Sequence, residues 1–313
     1  MSNLQEFEKF NPPHVHQPHE DPKPKTKLST ILIHILLMVL VVINIFPLYW
    51  MLTFSLKTND EILGYSYKDP ETGVRVQVAP NHVGLPHQWE WSNYAEAMNT
   101  GNMGLYFVNS LVVAVSAIAI TMVASFMATY ALTRLVWKGR KAMNKFFMLG
   151  LTIPIHASIV PVYIILSRMN LLNTYSALIF PYAAFSLSMG ILISSGFMGD
   201  IPYDLDEAAF LDGCGVWGIF LRVIAPLMMP AIATVGIYTF LQCWNELLFA
   251  TIFVSSGQYR TLPVGVQQLF GQYTTRWGPI GAALAIATIP TLIVYVFLSK
   301  RIQDSFIAGA VKG

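Results

Sequence analysis

The spacing of the charged residues is what most constrains this chain. No Asp, Glu, Lys or Arg occurs from Leu28 to Leu56, Ala97 to Thr133, Phe146 to Ser167, Met169 to Gly199, or Trp277 to Ser299. From Val223 to Tyr259 the only charge is Glu246. A helix that crosses a bilayer needs about 20 consecutive apolar residues, so each gap holds one span. The expected spans are roughly 30–54, 105–133, 146–167, 175–198, 228–254 and 278–299. Backbone amides in lipid must bond within their own segment, and a closed barrel would show short alternating strands instead. The expectation is an all-α polytopic membrane protein with six transmembrane helices. Composition agrees: 54% of the 313 residues are hydrophobic and 12% are charged, where soluble domains carry about 25% charged residues.

The basic residues set the orientation. Lys9, Lys23, Lys25 and Lys27 precede the first span, and Arg134, Lys138, Arg140, Lys141 and Lys145 join the second and third. Arg222 lies between the fourth and fifth, and Lys300, Arg301 and Lys312 follow the sixth. Lys57, Lys68, Arg75, Arg168, Arg260 and Arg276 fall on the opposite side. By the positive-inside rule the first group is cytoplasmic, and both termini with it. The chain then reads as a cytoplasmic tail over 1–27, a first transmembrane helix over 28–56 and an extracellular loop over 57–104. A core over 105–300 carries the other five transmembrane helices, and a cytoplasmic tail over 301–313 follows. In the tail, His14, His16 and His19 sit among prolines and charges, which points to disorder rather than a metal site. Within 57–104, YSYKDPETGVRVQV reads as a hairpin turning at Asp69–Gly73. A second polar loop, 255–277, contains Ser255, Ser256, Gly257, Gly271 and Gln272. Both loops are compatible with covering helix ends or with docking an external protein. Cys214 and Cys243 fall in unlike surroundings and form no disulfide framework.

Between Ile201 and Pro230 runs IPYDLDEAAFLDGCGVWGIFLRVIAPLMMP, a polar, helix-forming insert between two spans. Asp204 and Glu207 have the spacing of a capping box, with Asp in place of Ser or Thr. Asp204, Asp206 and Glu207 gather where a helix dipole favours carboxylates. Ala208 and Ala209 are strong helix formers that let another surface approach. Gly213 ends this helix in a left-handed conformation. A second short helix, about Val216 to Val223, carries Trp217, Phe220 and Leu221, and Pro226 stops it. Two readings fit this helix–turn–helix: a pair lying in the lipid interface, or a grip for a cytoplasmic partner. Its acidic residues argue against the negatively charged inner leaflet.

The segment resembles the EAA signature of ABC-transporter permease subunits: Glu207, Ala208, Ala209, Gly213, then Val223 and Ala225-Pro226 where Ile and Leu-Pro are usual. FVNSLVVA (107–114), GDIPYDLDEAAFLDG (199–213), CWNELLFA (243–250) and AGAVKG (308–313) extend the likeness over residues 30–313. Together they resemble the carbohydrate branch of binding-protein-dependent importers, in particular the maltose-type second permease. The resemblance implies a type I ABC importer permease fold with a cytoplasmic EAA coupling helix–turn–helix in the 200–226 loop. It implies that Glu207, Ala208, Ala209, Asp212, Gly213 and Pro226 couple to an ATPase, and that Gly309, Lys312 and Gly313 contact the ATPase through the C-terminal tail. The implied partners are a second permease subunit, a homodimeric or shared cytoplasmic ATPase carrying ATP and Mg, an extracellular solute-binding protein meeting loops 57–104 and 255–277, and the lipid membrane. Transport would proceed by alternating access.

The chain has no G-x-x-x-x-G-K-[ST] phosphate loop, no H-E-x-x-H and no G-x-S-x-G. The expectation is a transport subunit and not an enzyme, with no catalytic residues, no metal, no cofactor of its own and no nucleic-acid partner. Glu246 is the one carboxylate inside a span, where such a group faces protein or water. With Gln242, Trp244 and Asn245 it reads either as part of a translocation path for a sugar or as pairing between helices. Asn109, near the start of the second span, is open in the same way, and His156 between Pro154 and Pro161 reads as an interior histidine. The alternatives to a sugar importer are an ion-coupled secondary transporter using Glu246 and an ABC importer for another solute such as glycerol phosphate.

Overall fold

The computed structural model describes residues 27–270 and 275–310, with side chains over 30–270 and 275–297. The histidine-bearing tail, Gly271, Gln272, Lys312 and Gly313 lie outside the described residues. The chain divides into two compact units, Met1–Tyr49 and Trp50–Gly313.

In the first unit the described residues belong to helix α1 (Lys27–Phe54). Its polar side chains turn inward on the backbone: His34 bonds Thr30 O and Asn44 donates to Leu40 O, each four residues back. Such pairing removes the cost of a polar group in an apolar surrounding.

The second unit begins with a small folded cap. Helix α2 (Asn59–Leu63) starts at Thr58, whose hydroxyl accepts from Glu61 N. Strands β1 (Tyr65–Lys68) and β2 (Arg75–Val78) pair antiparallel, Tyr65 opposite Val78 and Lys68 opposite Arg75. Their turn is held by Asp69, whose carboxylate accepts from Glu71 N and Thr72 N. Those two bonds hold its carboxyl below the ordinary value. Lys57 is fully buried and donates to Asn81 O. Burial pushes its amine below the usual value, and the neighbouring Glu61 carboxylate offsets part of that. Helix α3 (Ser92–Asn99) closes the cap: Asn93 Nδ2 donates to Ser55 O and Lys57 O.

The long helices follow. α4 (Met103–Thr133) and α7 (Ser176–Gly199) make the most extensive helix pair. Between them lie α5 (Arg140–Leu149), a 3₁₀ turn at Ile155–Ser158 and α6 (Ile159–Arg168). Thr121, Ser125 and Thr129 of α4 and Ser186 and Ser194 of α7 are buried. A Cβ on Gly190 would sit 3.0 Å from Ser125 Cβ. Small residues permit this approach, because apolar side chains gain little from one another in lipid. Beyond α7 come α8 (Asp204–Leu211), α9 (Val216–Leu227), α10 (Met229–Trp244), α11 (Leu248–Phe253), α12 (Leu262–Gln268) and α13 (Trp277–Ala310).

Among the described residues, four helices are long and apolar enough to cross a membrane: Thr30–Phe54, α4, α7 and Trp277–Phe297. The α9–α10 pair, bent by 74°, makes up to five. Two of the expected spans are not continuous helices. The chain over 146–167 is not one helix; it leaves α5 at Gly150 and restarts only after Pro154, which has no N–H to continue a ladder. The stretch over 228–254 is likewise divided, at Asn245–Leu247.

Among the described residues two apolar clusters result. One joins Met103, Tyr106, Val113, Leu178, Phe249 and their neighbours. The other lies at the Arg134 end, where Phe126, Tyr130, Met198, Ala209, Ile219, Ile224 and Met228 meet.

Candidate functional site

The α8–α9 segment is built on the second cluster. Helix α8 opens without a side-chain cap: Tyr203 holds the N-cap position, and Asp206 N and Glu207 N donate to Tyr203 O. The expected Asp204–Glu207 capping box is not formed, because Asp204 is already helical. The acidic residues still occupy the first turn, where orphan N–H groups attract negative charge. At the other end Gly213 has φ +83°, Gly213 N donates to Phe210 O and Cys214 N donates to Ala209 O. This is a Schellman stop. Nothing lies within 4 Å of where a Cβ on Gly213 would sit, so the backbone angle alone demands glycine there.

The two alanines divide. Ala208 is exposed, whereas Ala209 is buried in the cluster with Ile219 and Ile224. Only Ala208 is open to an outside surface in this chain. Glu207 and Asp212 are exposed beside it. Pro226 does not stop the second helix. α9 passes through a π turn at Phe220–Ile224, with Ala225 N donating to Phe220 O, and runs on to Leu227, with Met228 as its C-cap. The wider turn relieves the ladder just where the proline supplies no donor.

Around this pair the surface is apolar: Leu211 is 85% exposed, Phe210 69%, Trp217 62% and Leu221 61%. A cleft of about 450 Å³ opens between α8, α9 and the end of α4, lined among others by Tyr130, Arg134, Tyr203, Glu207 and Phe210. Clustered exposed hydrophobics of this kind mark a surface that meets a partner or lipid. Arg134 forms the floor. It pairs with Asp206 at 2.8 Å, donates to Met198 O and Ile201 O, and lies 4.1 Å over the Tyr203 ring. Sequence reading uses Arg134 only as an orientation marker. Its one distinguishing signal is its place, as the first charge after a run of 37 neutral residues from Ala97 to Thr133.

The residues read as a translocation path separate. Asn109 is buried at 0% exposure, with its amide donating to Gln258 O and Arg260 O and its oxygen accepting from Tyr175 OH. It fastens a loop to α4. Trp244 is buried and donates to Ala287 O of α13. Gln242 and Asn245 are exposed and, with Glu246 and His156, line a second cleft of about 270 Å³. Glu246 sits at the break before α11. Its carboxylate accepts from Phe249 N, Ala250 N and Tyr182 OH. The stapling role of Asn109 makes a direct prediction: Asn109→Ala should cost about 2 kcal/mol by stranding two carbonyls and the tyrosine hydroxyl. The check is thermal unfolding in detergent, where an unchanged midpoint would show the loop is held by other contacts.

Gly309 lies on α13, and Lys312 and Gly313 fall outside the described residues. Among the described residues no group of three or more metal-ligating side chains occurs.

Residues 120–307 match the family described as binding-protein-dependent transport system inner membrane component. The chain is 35% identical to the sulfoquinovosyl glycerol transport system permease protein SmoH of Agrobacterium fabrum, over 88% of this chain and 91% of that protein. It is 32% identical to the trehalose/maltose transport system permease protein MalG of Thermococcus litoralis, over 91% of this chain and 98% of that protein. Its fold is similar to that of a chain in a bacterial ABC transporter that imports the acidic polysaccharide alginate. The TM-score is 0.75 at 17% identity, covering 90% of this chain and 98% of that one.

Proposed function

This chain belongs to the family of binding-protein-dependent transport system inner membrane components, and from that premise we propose that it is one permease subunit of an ATP-driven importer of sugars or oligosaccharides. The carrying observation is the α8–α9 element: a short acidic-headed helix, closed by a left-handed glycine and surrounded by exposed apolar side chains. It has the chemistry of a docking knob for a separate ATPase, which supplies ATP and Mg. Glu207, Ala208, Asp212 and Gly213 form its exposed rim; Pro226 shapes the helix behind it, and Gly309, Lys312 and Gly313 reach the same partner from the tail. The chain has six spans, with α5–α6 counted as the third and α10–α11 as the fifth. This end faces the cytoplasm of a cell membrane, following its basic residues. A second permease subunit completes the pathway, and an extracellular solute-binding protein docks on the opposite side. The carbohydrate assignment draws on the sugars for which the relatives are named.

An ion-coupled mechanism through Glu246 is disfavoured, because that carboxylate already accepts three hydrogen bonds. The test is gentle isolation of the tagged chain from its native membrane. A second permease-type chain and an ATPase should copurify, and ATP-dependent uptake should follow from a sugar panel with the binding protein. Glu207→Lys and Gly213→Asp should each lower ATPase association at least roughly tenfold, the first by reversing a charge and the second by straining the left-handed turn that shapes the docking helix. A chain that purified alone and moved solute under an ion gradient would overturn the reading.

A further inference from the structure

Arg134 is the C-cap residue of α4, and its guanidinium serves three elements at once. Nη1 donates to Asp206 Oδ2 in the first turn of α8. Nη2 donates to Met198 O, in the last turn of α7, and to Ile201 O just beyond it. The plane lies over Tyr203, whose hydroxyl returns to Thr133 O at 3.2 Å. The arginine side chain is only 2% exposed and the aspartate 17%. A lysine could not reproduce this, since its point charge lacks the planar fork that meets separate acceptors.

A second connection ties α8 to the fold, through Ala209 packed on Ile219 and Ile224. That contact is apolar and non-directional, in a cluster that also holds Phe126 and Tyr130 of α4 and Met198 of α7. Among the described residues, the directional contacts from α8 and its cap to α4 and α7, the longest-paired helices of the unit, are those of Arg134 and the Tyr203 hydroxyl on Thr133 O. Within the ion pair Arg134 Nε and Asp206 Oδ1 are buried without a protein partner. The pair is thus held at one point and not as a full fork, which leaves bonds to gain if α8 rotates.

We propose that Arg134 is a positioning residue that locks α8, the end of α7 and the end of α4 into one lever, so that a displacement imposed on α8 reaches the membrane helices. The inference rests on the reading of α8 as the ATPase-docking helix. It assigns transmission to a residue outside the docking rim: Glu207 and its neighbours receive the motion, and Arg134 with Asp206 passes it on.

The experiment uses the complete complex in lipid nanodiscs. A reporter cysteine, Leu105→Cys, is placed on the far end of α4, where Leu105 is exposed, in a Cys214→Ser, Cys243→Ser background. The rate of maleimide labelling is measured with and without ATP and vanadate, beside copurification and ATP hydrolysis. The parent complex should show a nucleotide-dependent change at the reporter. Arg134→Lys and Asp206→Asn should keep the ATPase bound and hydrolysing, while that change falls about tenfold, the size of one coupling interaction. Asp206→Glu, which keeps the ion pair, should retain it. A full reporter response in both Arg134→Lys and Asp206→Asn would overturn the proposal. So would loss of assembly in both, which would make the cluster a folding element only. If the parent chain binds no ATPase, the docking reading itself fails, and that outcome is separate from either.

Discussion

Replacing Glu246 with alanine should destabilise the protein by about 3–5 kcal/mol, because three buried or half-buried donors lose their acceptor together at roughly 1–3 kcal/mol each. Phe249 N and Ala250 N are the free amides of the first turn of α11, and Tyr182 OH reaches across from α7. The chain has just left α10 at Asn245, so nothing in the preceding turn can cap the restart. The carboxylate therefore does two things: it starts a helix in an apolar surrounding and fastens that helix to α7. Around it Phe249 and Phe253 are buried in the larger cluster, with Phe249 stacked on Tyr182 at 6.4 Å. Glu246→Gln keeps one oxygen acceptor and should lose less than half as much. Thermal unfolding of the detergent-solubilised protein separates the cases. Equal losses in both variants would show that the negative charge matters and not the acceptor geometry, and no loss in Glu246→Ala would remove the capping role.

Gly281→Leu should be comparably damaging, at about 3 kcal/mol or more, through overpacking that cannot relax. A Cβ at Gly281 on α13 would sit 2.7 Å from Phe54 Cδ1 and 2.9 Å from Ser55 Cα. The second neighbour is backbone, and it is held from behind. Asn93 Nδ2 binds Ser55 O at 3.0 Å and Lys57 O at 2.9 Å, and Ser55 Oγ bonds Tyr94 OH at 2.8 Å. The segment cannot retreat without breaking those bonds and exposing the buried Lys57. Gly281→Ala should show a smaller loss of the same sign. Yield of monodisperse protein and its unfolding midpoint are the readouts, and a variant as stable as the parent would show that α3 moves with the segment. This site needs glycine for close approach, whereas Gly213 needs it for its backbone angle, and the two substitutions fail for different reasons.

Much of the architecture is written locally. Long neutral runs make helices of α1, α4, α7 and α13 because lipid leaves the backbone no other partner, and those runs are read directly from the sequence. Gly213 is legible for the same kind of reason, since few residues other than glycine adopt its angle and the residues before it form helix. The acidic start of α8 is visible too, although Tyr203 and not Asp204 takes the cap position.

Other features were hidden because they depend on residues distant in the chain. Asn109 and Glu246 each read either as solute contacts or as fasteners, and only their partners at 258–260, 175 and 182 show what they hold. The breaks at 150–154 and 245–247 lie inside runs that are apolar enough to continue, so hydropathy passes over them. Arg134 looks like any basic residue flanking a span until Asp206, Met198 and Ile201 fold onto it. By itself the sequence determined the membrane class, the long helices and the stop at Gly213, because burial in lipid and backbone sterics act on each residue through its near neighbours. Only the tertiary structure decided which polar groups fasten helix to helix and where α8 is anchored, because a hydrogen bond needs a partner at about 3 Å and chain order does not say which residue that will be.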